Sequence, residues 1–395
     1  MSKTLKIFLM LSLVAMVMGG FAHATKAQVV FTAQDDDIYN GYNGNYNSAS
    51  FYVDGVYRGK LDTGSYSQGG GGGLGSPRIV INNAGGGNCV FISDSGGISG
   101  GGPGDIGVFD VPDFIANYTS NYGGNGYNDG IALASAKTVL VAGWTASNTL
   151  ETFNIGAGCT LSKGTAITLT GGGGAIDGLA MALSGKFVVV TFGDGAYAVV
   201  KLDGATLGAE NGPYVSNCYK TQGLIPTGVA VNPTGSYAYM DCVGTAPATI
   251  DAFKVSTPNV TVTNTLSAKG GTAIVGSVAL GLSSDGKLMD ILGWYSGAVE
   301  TALVDGTTIT DAGCPSGNVS LPGYGSTWLT PGTINVLGTS ASGGGGAVVA
   351  EAGWGQSKKS YVQELFNTPN FCLSIGPLGT DPNSEFGVSA TSVIP

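Results

Sequence analysis

Charge is scarce in this sequence. Asp, Glu, Lys and Arg together make up 11% of the 395 residues, 26 acids against 16 bases, for a formal net charge of −10. So little charge excludes a coiled coil or a charged disordered tail. Histidine is scarcer still, a single residue at His23. Apolar runs are short: the longest, Ile7 to Val17, falls well below the about 20 residues that a membrane-crossing helix needs, so no integral membrane span is expected. Glycine, by contrast, is abundant, with 69 residues and no Gly-X-Y period. That excludes collagen and disfavours helices, whose interiors lose roughly 1 kcal/mol per Gly relative to Ala. Hydrophobic residues still reach 43%, with 17 Tyr and 14 Phe, enough to bury a sizeable core. Short strands joined by many turns are what remains, an all-β fold.

The first 24 residues carry Lys3 and Lys6, the apolar run, and then the small-residue pattern Ala22-His23-Ala24. This is the layout of a secretory signal peptide, with an uncleaved anchor as the alternative. The expectation is therefore a signal peptide at 1–24 and a single domain over 25–395, secreted, periplasmic or at the cell surface. Cleavage there removes two lysines and the histidine, taking the formal charge to −12. A mature chain without imidazole has no Ser-His-Asp triad, Cys-His pair or His-ligated metal. Its negative charge repels phosphate backbones, so nucleic acid is not an expected partner.

Six cysteines follow, Cys89, Cys159, Cys218, Cys242, Cys314 and Cys372. An even number in an exported chain favours disulfides over simply buried thiols, and six allow 15 connectivities among which the sequence does not choose. None forms a C-x-x-C pair, so redox catalysis is not indicated.

A repeat of about 49 residues organises the chain. Four segments share an opening, Gly130-Ile-Ala-Leu-Ala, Gly178-Leu-Ala-Met-Ala, Gly228-Val-Ala-Val-Asn and Ser277-Val-Ala-Leu-Gly, spaced by 48, 50 and 49. Each is followed by a tight turn, such as Asn232-Pro-Thr-Gly235 or Ser284-Asp-Gly286, and a second β-rich run, such as Phe187-Val-Val-Val-Thr. A third run comes next, as in Ile250-Asp-Ala-Phe-Lys-Val255, and a weaker fourth closes the unit. Four short strands at this period are the signature of propeller blades. Stepping backward reaches Arg78 to Asn82, with Cys89 to Asp94 and Asp105 to Asp110 as the next strands; stepping forward reaches Ser326-Thr-Trp-Leu, then Ala347 to Ala350 and Tyr361 to Leu365. Val29 to Thr32 and Ala49 to Asp54 look like second and third strands without a first, and Gly387-Val-Ser-Ala-Thr like a first strand without followers. The termini are expected to complete one blade together, which removes the free edges of an open ring. The predicted fold is a seven-bladed β-propeller of four-stranded antiparallel blades, closed by pairing of N- and C-terminal strands, with six or eight blades as alternatives.

The run Gly228-Val-Ala-Val-Asn-Pro-Thr-Gly-Ser-Tyr-Ala-Tyr-Met, followed by Ile250-Asp-Ala-Phe-Lys-Val, resembles the blade consensus of the seven-bladed lactonase and YVTN-type propeller family, most clearly from about 130 to 310. The resemblance implies that fold and, as an activity, hydrolysis of a sugar lactone. Family enzymes for phosphorylated sugar lactones would be expected to use basic residues, and cycloisomerising relatives His. This mature chain has only Arg58 and Arg78 as arginines and no His.

In such a blade the connection between second and third strands and the one to the next blade share a face. Gly143-Trp144, Gly293-Trp294 and Gly353-Trp354 each end a second strand there, with Phe192-Gly193 nearly matching them in another unit. A ring of Trp144, Trp294 and Trp354 would stack on sugar rings; wedging between blades is the competing reading. Two Asn/Tyr/Gly segments are expected as loops beside it, Asp35 to Asn47 with Tyr39, Tyr42 and Tyr46, and Asn117 to Asp129 with Tyr122 and Tyr127. Tyr with Asn and Gly gives rigid contact area and adaptable hydrogen bonds, or plain turn chemistry. Asp35, Asp36 and Asp37 are candidates for calcium or another divalent cation, out of register with a calcium loop. Asp129, Asp177 and Asp194 are catalytic candidates, expected to converge at the channel mouth, bind a cation or raise one another's pKa. The residues favour an exported protein that binds carbohydrate or a cell-surface polymer on this face. A lactonase-like hydrolase, metal-assisted through the three aspartates, and a structural surface or matrix protein are the alternatives.

Overall fold

A computed structural model describes residues 29–34, 48–53, 56–62, 79–82, 89–94, 105–110, 117–123, 131–144, 147–243, 248–266, 277–293, 296–314, 319–321, 329–337, 346–353, 361–367, 372–380 and 388–394. The strands pair into seven antiparallel sheets. In order from the axis outward, blade 2 is Ile79–Asn82, Cys89–Asp94, Asp105–Asp110 and Asn117–Gly123. Blade 3 is Ile131–Ala136, Val139–Trp144, Thr149–Ile155 and Leu161–Thr168. Blade 4 is Ile176–Met181, Phe187–Phe192, Ala196–Asp203 and Thr206–Val215. Blade 5 is Ile225–Val231, Tyr237–Val243, Thr249–Lys254 and Thr261–Thr265. Blade 6 is Ser277–Leu282, Leu288–Gly293, Ala298–Asp305 and Thr308–Asp311, with Val319–Ser320 added beside its third strand. Blade 7 is Leu329–Leu337, Gly346–Gly353, Tyr361–Asn367 and Leu373–Thr380. The expected first strand of this last blade, begun at Ser326, is therefore observed three residues later.

Blade 1 is made by both ends of the chain. Val388–Ile394 supplies its innermost strand and Val29–Gln34, Ser48–Val53 and Val56–Asp62 the rest, with Val29 opposite Ile394 and Phe31 opposite Ser392. The first strand missing at one terminus is thus supplied by the other. Each innermost strand packs against that of the next blade, and the series returns to its start.

The pattern of burial explains why these residues make these strands. Second and third strands are covered on both faces by neighbouring blades, so they read as nearly continuous apolar runs: every residue of Val139–Trp144 is buried. Outer strands meet solvent, and Leu161–Thr168 is mostly exposed polar sequence. The core accordingly lies between blades rather than within one. Val141 and Leu150 of blade 3 meet Val190 and Ala198 of blade 4, and Tyr239 and Ile250 of blade 5 meet Met289 and Ala302 of blade 6. Near the axis the backbones approach so closely that a Cβ on Gly228 would lie 2.9 Å from the Ala279 Cα. One turn recurs between first and second strands: the amides of Gly185, Gly235 and Gly286 each donate to a carbonyl three residues earlier, at 2.8 Å, as the Pro, Asp and Gly of those segments led one to expect.

The six cysteines form three disulfides, Cys89–Cys159, Cys218–Cys242 and Cys314–Cys372. The first joins blade 2 to blade 3 and the last blade 6 to blade 7. The second ties a short helix, α1 (Asn217–Gln222), to the second strand of blade 5. No helix among the described residues is long and apolar enough to cross a membrane.

Candidate functional site

The antiparallel topology sends the second-to-third-strand hairpins and the blade-to-blade connections to one face. Its best described part is the junction of blades 3 and 4. Asn148, in the hairpin of blade 3, has φ +49, a conformation Asn tolerates better than most side chains. Its side-chain amide fixes the chain arriving at blade 4 from both sides: Oδ1 accepts from the Ile176 amide at 2.9 Å and Nδ2 donates to the Gly174 carbonyl at 2.9 Å. Ile176 is thereby seated in the interblade core, and Asp177 follows it at a bulge in the innermost strand, half-buried. Asp177 is the second residue of that strand. Asn148 was missed; its only sequence signal is an Asn at the tip of a tight hairpin.

Asp194 lies in the hairpin of blade 4. Its Oδ1 accepts from the Ala196 amide at 3.1 Å, an Asx turn, and its Oδ2 lies where a Cβ on Gly172 would stand. The stretch Gly171 to Gly174, legible in the sequence as a surface loop, folds against this carboxylate. Asp194 is engaged with its own hairpin and the neighbouring connection. Asp129 lies outside the described residues.

Trp144 is 1% exposed and sits in the core between blades 2 and 3 with Phe91, Val108, Leu133 and Phe153. Phe192, at the equivalent place in blade 4, is 0% exposed and packs between blades 3 and 4. A side chain at the end of a second strand thus points at the adjoining sheet, and the expectation that the Trp144 ring faces a ligand is corrected: it is a wedge. Trp294 and Trp354 lie outside the described residues, as do Tyr39, Tyr42, Tyr46 and Tyr127 and the acidic run Asp35, Asp36 and Asp37. The second Asn/Tyr/Gly segment was expected to be a loop throughout. Its first part is the outermost strand of blade 2, Asn117–Gly123, in which Tyr122 stands opposite Ile106.

Several buried carboxylates carry no role in the sequence reading. Glu151, Asp241, Asp251, Asp290 and Glu300 all lie in strands and are nearly inaccessible. Glu151 meets the Lys163 ammonium at 3.1 Å. Asp241 accepts from the Gly228 amide at 2.6 Å. Asp251 accepts from the Cys218 amide at 2.9 Å and from the Thr263 hydroxyl at 2.7 Å. Asp290 accepts only from Thr301, at 2.7 Å, among the hydrogen bonds seen here, and burial lifts its carboxyl to about 7 although that bond pulls it down. Burial also raises the phenols of Tyr197 and Tyr239, assisted by the charge of Asp251 in the first case and by Tyr237 and then Asp305 in the second. The signal for such groups is an acid inside an apolar run, as in Leu288-Met-Asp-Ile-Leu292.

Among the described residues, one grouping has metal-ligand proximity, Cys218, Cys242 and Asp251, with candidate atoms within 4.8 Å of one another. The sulfurs are bonded to each other and the carboxylate serves the α1 backbone, so this is a structural knot.

This is a seven-sheet β-propeller, and the solved structures it resembles agree. A putative 6-phosphogluconolactonase from Bacteroides fragilis aligns over 95% of this chain and 99% of its own, with 13% identity and a TM-score of 0.60. The periplasmic gluconolactonase of Pseudomonas aeruginosa aligns over 93% and 99%, with 12% identity and a TM-score of 0.60. The Cps50 β-propeller domain of Myceliophteria thermophila aligns over 79% and 89%, with 10% identity and a TM-score of 0.52. Neither a family model nor a curated protein sequence matches the chain. At these identities the likeness establishes the β-propeller fold alone.

Proposed function

We propose that the protein is an exported β-propeller that recognises a sugar-derived ligand of the lactone or aldonate class at the channel mouth, on the face where Asn148 holds the start of the blade 4 inner strand. The observation that carries this reading is the closed ring itself, shared over nearly its whole length with proteins named as gluconolactonases. Three disulfides and the signal-peptide pattern support export. Asp177 is the polar group proposed to meet the ligand, because it is the described candidate carboxylate on an innermost strand.

Hydrolysis of the lactone is a second reading, favoured by the same structural likeness. Ring opening by water requires a base or a bound cation to supply hydroxide. In this reading Asp177 acts as base or as one cation ligand.

The test is a calorimetric titration with gluconate and with a slowly hydrolysing sugar lactone, alongside a turnover assay with and without chelator. Asp177→Asn should weaken binding at least tenfold without lowering the melting temperature. Lactone turnover that Asp177→Asn abolishes would establish the hydrolytic reading; no interaction with either sugar at millimolar concentration would refute both.

A further inference from the structure

The connection from blade 4 to blade 5 lies on the same face as Asn148 and the start of the blade 4 inner strand, and it is built around α1. That helix is pinned from several sides. Cys218 is bonded to Cys242, and its amide donates to Asp251 at 2.9 Å. The Asn217 Nδ2 donates to the Thr263 hydroxyl at 2.6 Å. Ser216 caps the first turn, its Oγ accepting from the Tyr219 amide at 3.3 Å, and Gly223 closes the last at φ +68, its amide donating to the Tyr219 carbonyl at 2.9 Å. A helix this short does not persist in water unaided, so these contacts decide where its side chains stand.

What α1 presents to solvent is Tyr219. Among the described side chains it is the one exposed aromatic, at 39%, whereas Trp144, Phe192, Tyr197 and Tyr239 are buried. Its ring lies across the hairpin tip of blade 4: a Cβ on Gly195 would stand 2.3 Å from the ring carbons Cγ and Cδ2. Gly195 also has φ +84, so the turn and the ring both demand glycine there. The Ser216 amide donates to the Gly195 carbonyl at 3.0 Å and fastens the connection to the same tip. Val215, likewise exposed, precedes Ser216, and with Tyr219 it makes an apolar step beside the hairpin that carries Asp194.

We infer that Tyr219 is a stacking platform for a second sugar ring, so that the ligand is an aldonate, or its lactone, carrying a further sugar in glycosidic linkage. The inference rests on the ligand reading given above, in which Asp177 meets the acid or lactone end. Ile176 and Gly178, on either side of Asp177, pair with Phe192 and Thr191 of the second strand, and Gly195 lies in the hairpin from the second strand to the third. At about 4.8 Å per strand, the seat of Tyr219 stands about 10 Å outward of Asp177. A single six-carbon acid held at Asp177 falls short of it; the next ring of a two-ring acid does not. A tyrosine backed by protein on one side offers the C–H face of a pyranose an apolar contact at little conformational cost. The aromatic surface that the sequence sought in Trp144, a wedge in the fold, is supplied on this face by a residue of the connection instead.

The experiment titrates the full mature chain calorimetrically with gluconate and with cellobionate and maltobionate, the β- and α-linked two-ring acids. At least one two-ring acid should bind about tenfold more tightly than gluconate, the order of gain that stacking on one aromatic ring supplies. Tyr219→Ala should remove that gain and leave the gluconate affinity within about twofold of the parent, which also shows that the variant is folded; Tyr219→Phe, which keeps the ring, should retain the gain. Asp177→Asn should weaken all three acids. A ring that merely covers Gly195 would, when removed, lower the melting temperature and leave the ratio of two-ring to one-ring affinity as it was. That outcome, or two-ring acids that bind no more tightly than gluconate, would overturn the inference and leave the ligand reading standing. No binding of gluconate or of either two-ring acid would refute the ligand reading and the inference with it.

Discussion

Asp290 is a carboxylate placed where a sheet offers it a single hydroxyl, Thr301, in return for complete burial. Its carboxyl is raised to about 7, with desolvation the dominant cause, while in an unfolded chain it returns to about 4. The native state therefore holds a proton that the unfolded state has released between those two values. Because the folded value is the higher one, the contribution to stability is complete below about pH 4, falls as pH rises toward 7, and is flat beyond it. Asp290→Asn, neutral at every pH, removes this dependence. Urea unfolding at pH 4, 6 and 8 should show the variant gaining on the parent by up to about 4 kcal/mol across that range; parallel pH profiles would mean that the carboxyl titrates normally in the fold. Residues of this kind show where sequence reading stops. The repeat identifies Trp144 and Phe192 as equivalent positions, correctly, but equivalence does not say which way a side chain points. Both turn to the adjoining sheet, because the end of a second strand lies between two blades and not beside the axis.

At the scale of the element, blades are joined by small polar latches at their outer edges as well as by the apolar core. The Thr152 and Thr165 hydroxyls of blade 3 both donate to the Ala205 carbonyl in the outer hairpin of blade 4, and the Leu207 amide donates back to Thr165 at 2.7 Å. Blades 5 and 6 repeat the arrangement with other residues: the Asn264 amide donates to Thr307 at 3.0 Å and accepts from Ile309 at 3.1 Å, and the Tyr239 hydroxyl donates to Gly306 at 2.9 Å. Gly164 lies under the first latch. A Cβ there would stand 2.4 Å from the Thr152 Oγ1 and 2.5 Å from the Ala205 carbonyl oxygen, one of them backbone, so the blades must part to admit it. Gly164→Ala should cost about 1–3 kcal/mol in chemical denaturation, against a few tenths at Gly193, whose Cβ would meet only the Ala175 carbonyl oxygen, at 3.9 Å. A loss below about 0.5 kcal/mol would show that the latch yields freely. Strands and turns were legible in the sequence because alternation, apolar runs and Gly-bearing turns are local signals. The outer strand Asn117–Gly123 was not, since its Asn, Tyr and Gly read as loop residues; what makes it a strand is pairing with Asp105–Asp110, a contact its own composition does not announce.

For the molecule as a whole, a ring is stable only if its ends meet, and here the meeting is non-covalent. Disulfides at Cys89–Cys159 and Cys314–Cys372 close loops spanning 70 and 58 residues, each worth about 4 kcal/mol by chain entropy, yet neither bridges blade 1. That blade relies on the ladder between Val29–Gln34 and Val388–Ile394. Deleting residues 388–395 takes away its innermost strand, opens the ring between blades 2 and 7, and leaves the Val29–Gln34 edge unpaired, a template for association with other chains. The truncated protein should melt at least 10 °C lower and run as dimers or larger species in size-exclusion chromatography. A permuted chain is the control: residues 388–394 are placed ahead of Val29 through a tight hairpin, which the register allows because Ile394 already faces Val29. That protein ends at Thr380, makes the closing ladder within one hairpin as every other blade does, and should equal or exceed the parent in melting temperature while remaining monodisperse if the parent is. An unchanged melting temperature in the truncated chain would mean that the interblade core alone holds the ring. A permuted chain as weak as the truncated one would mean that the missing residues 381–387, and not the ladder, carry the closure.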